Sequence, residues 1–178
     1  MIEFRALEAQ EVSCRIGQKA NDGSWITVLL YKDQRVDSSI LDETVGNENW
    51  QDKYYECKGN LFCSVGIRCK DEWVWKDNCG TESFSESEKG EASDAFKRAC
   101  FNWGIGKERY TAPLIYIPQT DKKTGAENYV LDNNGRPKVD LVCTYLNVEN
   151  RGRNKVITGL NIENNKKKRT VFAWGNIE

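Results

Sequence analysis

Lys97 and Arg98 are the residues of this chain whose types and spacing point most directly to a chemistry. Two adjacent cations on a helix can grip successive phosphates of a polyanion, and each counterion they release strengthens binding and makes it salt-sensitive. Asp94, four residues before Arg98, can pair with it along the helix, a contact worth roughly 0.2–0.5 kcal/mol. With only that pair, the two cations would be ordinary solvated helix surface. Phe101 falls on the same outer side, where its ring either packs on a neighbouring strand or subunit or stacks on a base. A second cluster, Lys166-Lys167-Lys168-Arg169, is a charge run, and such runs are more often solvated surface than binding site. Asp71, Glu72 and Lys76 have the residue types of a metal-dependent nuclease triad, yet they sit in and beside an expected turn.

Absences narrow the rest. The 178 residues contain no histidine, which removes the commonest general base, the commonest zinc ligand and every Ser-His or Cys-His nucleophile pair. No G-x-x-x-x-G-K-S/T occurs, and Gly104-Ile105-Gly106-Lys107 alone is too short to cradle nucleotide phosphates. An ATP-driven motor or recombinase is therefore not expected. Seven cysteines, at positions 14, 57, 63, 69, 79, 100 and 143, lack C-x-x-C spacing, which argues against zinc and for reduced, mostly buried thiols. The longest apolar runs, such as 26–31 and 114–117, fall far short of the ~20 residues of a membrane helix. The acidic N-terminus lacks the apolar stretch of a secretory signal. An intracellular, cytoplasmic home and no membrane partner are the expectation.

The formal charge of −1 hides a polarity: residues 1–96 hold 11 basic and 19 acidic side chains, residues 97–178 hold 15 basic and 8 acidic. Such a chain can carry a basic face for a polyanion, or pair its patches between subunits of an oligomer.

The elements that must position Lys97 and Arg98 follow from periodicity. Residues 13–23 read as a loop-rich entry, and Trp25–Tyr31 as a β-branched and aromatic strand. Arg35–Val45 carries Val36, Ile40, Leu41 and Val45 at helical spacing, ended by Gly46. From Trp50 the period becomes two, over 50–57, 61–70 and 73–81, with polar turns at Lys58-Gly59-Asn60 and Lys70-Asp71-Glu72, which describes a three-stranded antiparallel meander. Ser85 or Ser87 caps a helix running to about Trp103, whose Ala92, Ala95, Phe96, Ala99, Cys100 and Trp103 form one buried stripe. Lys97 and Arg98 lie about 130° to either side of that stripe and so face outward. Residues 121–137 are polar and turn-rich, and 139–148, 156–162 and 170–174 read as strands, the last two a hairpin across 164–168.

At Gly90-Glu-Ala-Ser-Asp-Ala-Phe-Lys-Arg-Ala-Cys-Phe-Asn-Trp-Gly-Ile-Gly106, preceded by the meander, the chain resembles the Rad-fifty-two family of single-strand annealing proteins, and most of all its compact phage members. The likeness extends more weakly to Ser13-Cys-Arg15 and to Tyr31–Val36, and covers about residues 12–116. The resemblance implies a β-β-β-α core assembled into rings or open arcs, in which a basic groove holds single-stranded DNA by its backbone with the bases exposed. No ATP, cofactor, metal or catalytic residue is implied. Carried over residue by residue, Lys97 and Arg98 match the Lys-Arg pair lining that groove, and Arg35 matches its second cation. Lys70 sits where the family offers a cation to an outer DNA site. Asp94 agrees with an acidic residue that could orient Arg98. Phe101 departs from the eukaryotic members, which place an arginine there, so that one phosphate contact is lost or moved. Arg15 stands as a further supporting residue.

The expected architecture is accordingly a single α+β annealing domain over 1–178: a three-stranded antiparallel β-meander packed on a long α-helix, with a flanking short helix and a C-terminal β-hairpin. Its core spans about 12–116, followed by a mobile loop over 119–137 and a β extension over 138–178. The expected partners are single-stranded DNA, further copies of the chain in a ring or arc, and candidate helpers in a single-strand-binding protein and an exonuclease. The expected setting is phage recombination and repair in the bacterial host cytosol. The alternatives are a small metal-dependent nuclease, or an oligomeric scaffold whose basic residues only bridge subunits.

Overall fold

The computed structural model describes residues 2–81 and 87–177. The strands are β1 (Ser13–Lys19), β2 (Trp25–Tyr31), β3 (Trp50–Cys57), β4 (Asn60–Cys69), β5 (Glu72–Cys79), β6 (Ile115–Pro118), β7 (Val130–Leu131), β8 (Pro137–Lys138), β9 (Leu141–Arg151), β10 (Asn154–Asn164) and β11 (Arg169–Gly175). The helices are α1 (Gln34–Val45) and α2 (Ser87–Trp103). The expected cap Ser85, and the side chain of the alternative cap Ser87, lie outside the described residues.

This composition overturns the α+β expectation. The chain is mostly β, with 47% in strands and 20% helical, and its largest element is a six-stranded antiparallel sheet rather than a meander packed on a long helix. The strand order is β11-β10-β9-β1-β2-β6, and β11 returns alongside β6, so the sheet closes nearly into a barrel. The cause is long-range pairing that local periodicity does not show: Ser13 pairs with Val142, and Trp25 with Pro118.

The chain gathers into two compact units, 1–6 with 33–107 and 7–32 with 108–178. The second holds the six-stranded sheet around a core that includes Ile26, Val28, Ile117, Ile157, Leu160 and Ile162, all almost fully buried. Its β1 replaces the expected loop-rich entry. Nearly every β1 side chain is exposed, so no apolar alternation marks it. The segment 119–137 is no bare loop either. It contains the β7–β8 hairpin and a bridge between Thr120 and Glu127, and buries Asn128 and Tyr129. The Tyr129 hydroxyl donates to the Gly23 carbonyl at 3.0 Å.

In the first unit, β3, β4 and β5 pair antiparallel. The two-residue turn after β3 is Lys58-Gly59, both with positive φ, the backbone that a tight hairpin requires. α1 starts at Asp33, whose carboxylate accepts from the Arg35 N–H, and ends at Gly46 with φ 81°. α2 lies along β4 and β5 with Ala95, Phe96, Ala99 and Cys100 buried. Truncating Phe96 would cost about 3–5 kcal/mol. At Gly80 any Cβ would collide with the Glu91 carbonyl, so a glycine there lets the end of β5 touch α2. None of the seven cysteines is in a disulfide; Cys63, Cys100 and Cys143 are buried, whereas Cys57 is exposed.

Candidate nucleic-acid interface

The helix stripe turns Lys97 and Arg98 outward to different degrees: Arg98 is exposed and Lys97 half-buried. At the first turn of α1, Asp33 is both the helix cap and the ion-pair partner of Arg35. One Asp33 oxygen accepts from the Arg35 backbone N–H at 2.8 Å and from its Nε at 3.1 Å. Those bonds, helped by the charges of Arg35 and Lys97, hold the Asp33 carboxyl below its ordinary range. One carboxylate thus feels cations from both helices. The Arg35 side chain remains 91% exposed.

Arg98 is held from the other direction. Its Nε donates to Asp94 at 2.7 Å, and the same Asp94 oxygen accepts from the Thr81 N–H at 3.1 Å and the Thr81 hydroxyl at 3.0 Å. Burial pushes the Asp94 carboxyl up, but the bonds from Arg98 and Thr81 outweigh it and leave the carboxyl below its usual range. The i,i+4 pair that the plain alternative requires therefore exists. It is an open pair, with the Arg98 side chain 47% exposed, and such pairs contribute at most about 1 kcal/mol.

The remaining residues singled out in the sequence divide. Phe101 is half-buried, with the Lys107 ammonium 5.1 Å from its ring centre. Lys70 occupies the exposed β4–β5 turn with φ 58°, and none of the hydrogen bonds, ion pairs or ring contacts among the described residues involves it. Arg15 belongs to the second unit, its guanidinium 4.6 Å from the Tyr31 ring centre. The structure therefore pairs Arg35 with Asp33 and Arg98 with Asp94, and leaves Lys70 outside both pairs.

In the basic run of residues 166–169, Lys167, Lys168 and Arg169 hold hydrogen-bond partners, while Lys166, Lys167 and Lys168 stay exposed. Lys167 Nζ donates to the Glu127 carbonyl at 3.0 Å, Lys168 Nζ to Asn165 at 2.7 Å, and Arg169 to Asn128 at 2.5 Å. Two of these bonds tie the β10–β11 turn to residues 127 and 128. In the suspected nuclease triad, Lys76 instead donates to the Asn102 carbonyl at 3.0 Å and lies 4.4 Å from the Trp103 ring centre. Among the described residues, no group of three or more His, Cys, Asp or Glu is placed to hold a metal ion.

Asp33 is the residue that sequence reading missed. The Asp-x-Arg spacing at a helix start was available as a capping signal, but its proximity to Lys97 depends on the packing of α1 on α2 and has no local signature. No family model matches the chain, and no curated protein matches it.

Proposed function

We propose that this chain binds single-stranded DNA by its backbone and anneals complementary strands without ATP, as a homo-oligomer acting in phage recombination within the bacterial cytosol. The observation that carries the reading is Arg98 on α2, partly exposed and oriented by Asp94, beside an outward Lys97 on the same helix, with the exposed Arg35 heading α1. Annealing requires contacts that leave Watson-Crick edges free, and Lys and Arg on phosphates meet that need better than base-reading amides. The near-zero net charge is compatible with this, because a ring lines up each subunit's few groove cations along one track. No helix among the described residues is long and apolar enough to cross a membrane.

The test is annealing of complementary oligonucleotides in EDTA without nucleotide. The reading predicts ATP-independent annealing that is lost in Lys97→Ala/Arg98→Ala, with particle mass unchanged. Strand degradation on adding magnesium would contradict it in favour of a nuclease. Absence of strand binding at low salt would contradict it in favour of a scaffold.

A further inference from the structure

The face of the β3–β4–β5 sheet turned away from α2 is built from aromatic rings and cations. Pairing Lys53 with Ser64, Tyr55 with Phe62, Ser64 with Asp77, Gly66 with Trp75 and Arg68 with Trp73 sets these side chains on one side. Trp50 and Ile67, on the other side, face Phe96 of α2. Tyr55 stacks on Phe62 with ring centres 5.5 Å apart and planes at 18°. Trp73 and Trp75 lie 6.1 Å apart. Trp75 lies over Gly66, where an added Cβ would come within 2.7 Å of its ring. The Lys53 ammonium sits 4.1 Å from the Trp75 ring centre. Tyr55 and Trp73 are each 39% exposed.

Charge is sorted between the two faces. Lys53 and Arg68 are exposed on the aromatic side, whereas Asp52, Glu56 and Glu72 alternate to the α2 side together with one cation, Lys76, which bonds the Asn102 carbonyl. The carboxylate on the aromatic side, Asp77, accepts from the Ser64 hydroxyl at 2.6 Å and the Tyr55 hydroxyl at 2.9 Å. Exposed rings interleaved with cations, with the local acid already bonded, match a strand of unpaired bases: the rings accept base faces and the cations accept phosphates.

We infer that this sheet face is a base-stacking surface for single-stranded DNA, with Tyr55 and Trp73 as platforms and Lys53 and Arg68 on the phosphates. The inference rests on the reading of the chain as a single-strand binder but uses none of the residues on α1 or α2. It gives the protein base contacts where Lys97 and Arg98 give only backbone contacts.

The experiment compares binding of a thymidine oligonucleotide and an abasic oligonucleotide of equal length by fluorescence anisotropy. The expected result is a base-bearing strand bound at least about tenfold tighter, a preference abolished in Tyr55→Ala/Trp73→Ala and kept in Trp73→Phe. Lys53→Ala/Arg68→Ala should flatten the salt dependence by about 0.7 per cation, a readout that survives if the aromatic double variant does not fold. Lys97→Ala/Arg98→Ala should weaken both oligonucleotides equally; normal binding there, with the base preference intact, would sink the proposed main site and leave this one standing. An unchanged base preference in Tyr55→Ala/Trp73→Ala overturns the inference. So does a drop in particle mass with unaltered affinity, which would assign the face to a second copy of the chain.

Discussion

Four consecutive cations at 166–169 and three dispersed ones at 35, 97 and 98 make opposite uses of positive charge. The run is the denser signal in sequence, yet the bonds of Lys167 and Arg169 to Glu127 and Asn128 brace one turn against a neighbouring segment. The dispersed set comes from two helices, where Arg35 pairs with the exposed Asp33 and Arg98 with the partly exposed Asp94. Cation density along a chain therefore says less about binding than what each cation already touches. The Arg169 charge, spent on the buried Asn128, is structural, whereas the Arg98–Asp94 and Lys167–Glu127 pairs are open and can exchange partners.

That contrast can be broken experimentally. Lys97→Ala/Arg98→Ala should lower affinity for single strands at least about 100-fold, whereas Ala at 166, 167 and 168 together should cost less than about threefold, both measured at one fixed salt concentration. Arg169→Ala should destabilise the protein by about 1–3 kcal/mol in urea melts, because Asn128, nearly fully buried, loses its donor, while strand affinity stays within about twofold. Asp94→Asn should cost about 1 kcal/mol at neutral pH. The folded carboxyl of Asp94 titrates below its ordinary 3.8, so its contribution is present above that value and lost as pH falls through the depressed one. The gap between wild type and Asp94→Asn should accordingly close in acid and stay open at neutral pH. Lys70→Ala, on a turn away from both pairs, should change affinity least, by under about twofold.

Legibility from sequence followed the range of the interactions. β2 begins and ends where its apolar alternation does, and α1, β3, β4, β5 and α2 announce themselves through period, turn chemistry and an apolar stripe. The Asp94–Arg98 pair was legible for the same reason, since i,i+4 spacing is local. The six-stranded sheet was not, because β1 is polar along most of its length and its partner β9 lies more than a hundred residues away. Residues 119–137 looked loose because their composition is polar, yet Asn128 donates to the Pro118 carbonyl and accepts from Arg169 and Asn164. The link from Lys97 to Asp33 needed α1 and α2 packed together, which no window of sequence contains.

The most direct test of the central claim is the slope of log affinity for an oligonucleotide against log salt concentration, for wild type and for Lys97→Ala/Arg98→Ala. Two phosphate contacts per subunit predict a slope shallower by about 1.4 in the double variant. Identical slopes, with both proteins folded and of equal mass, would show that these cations never touch the strand.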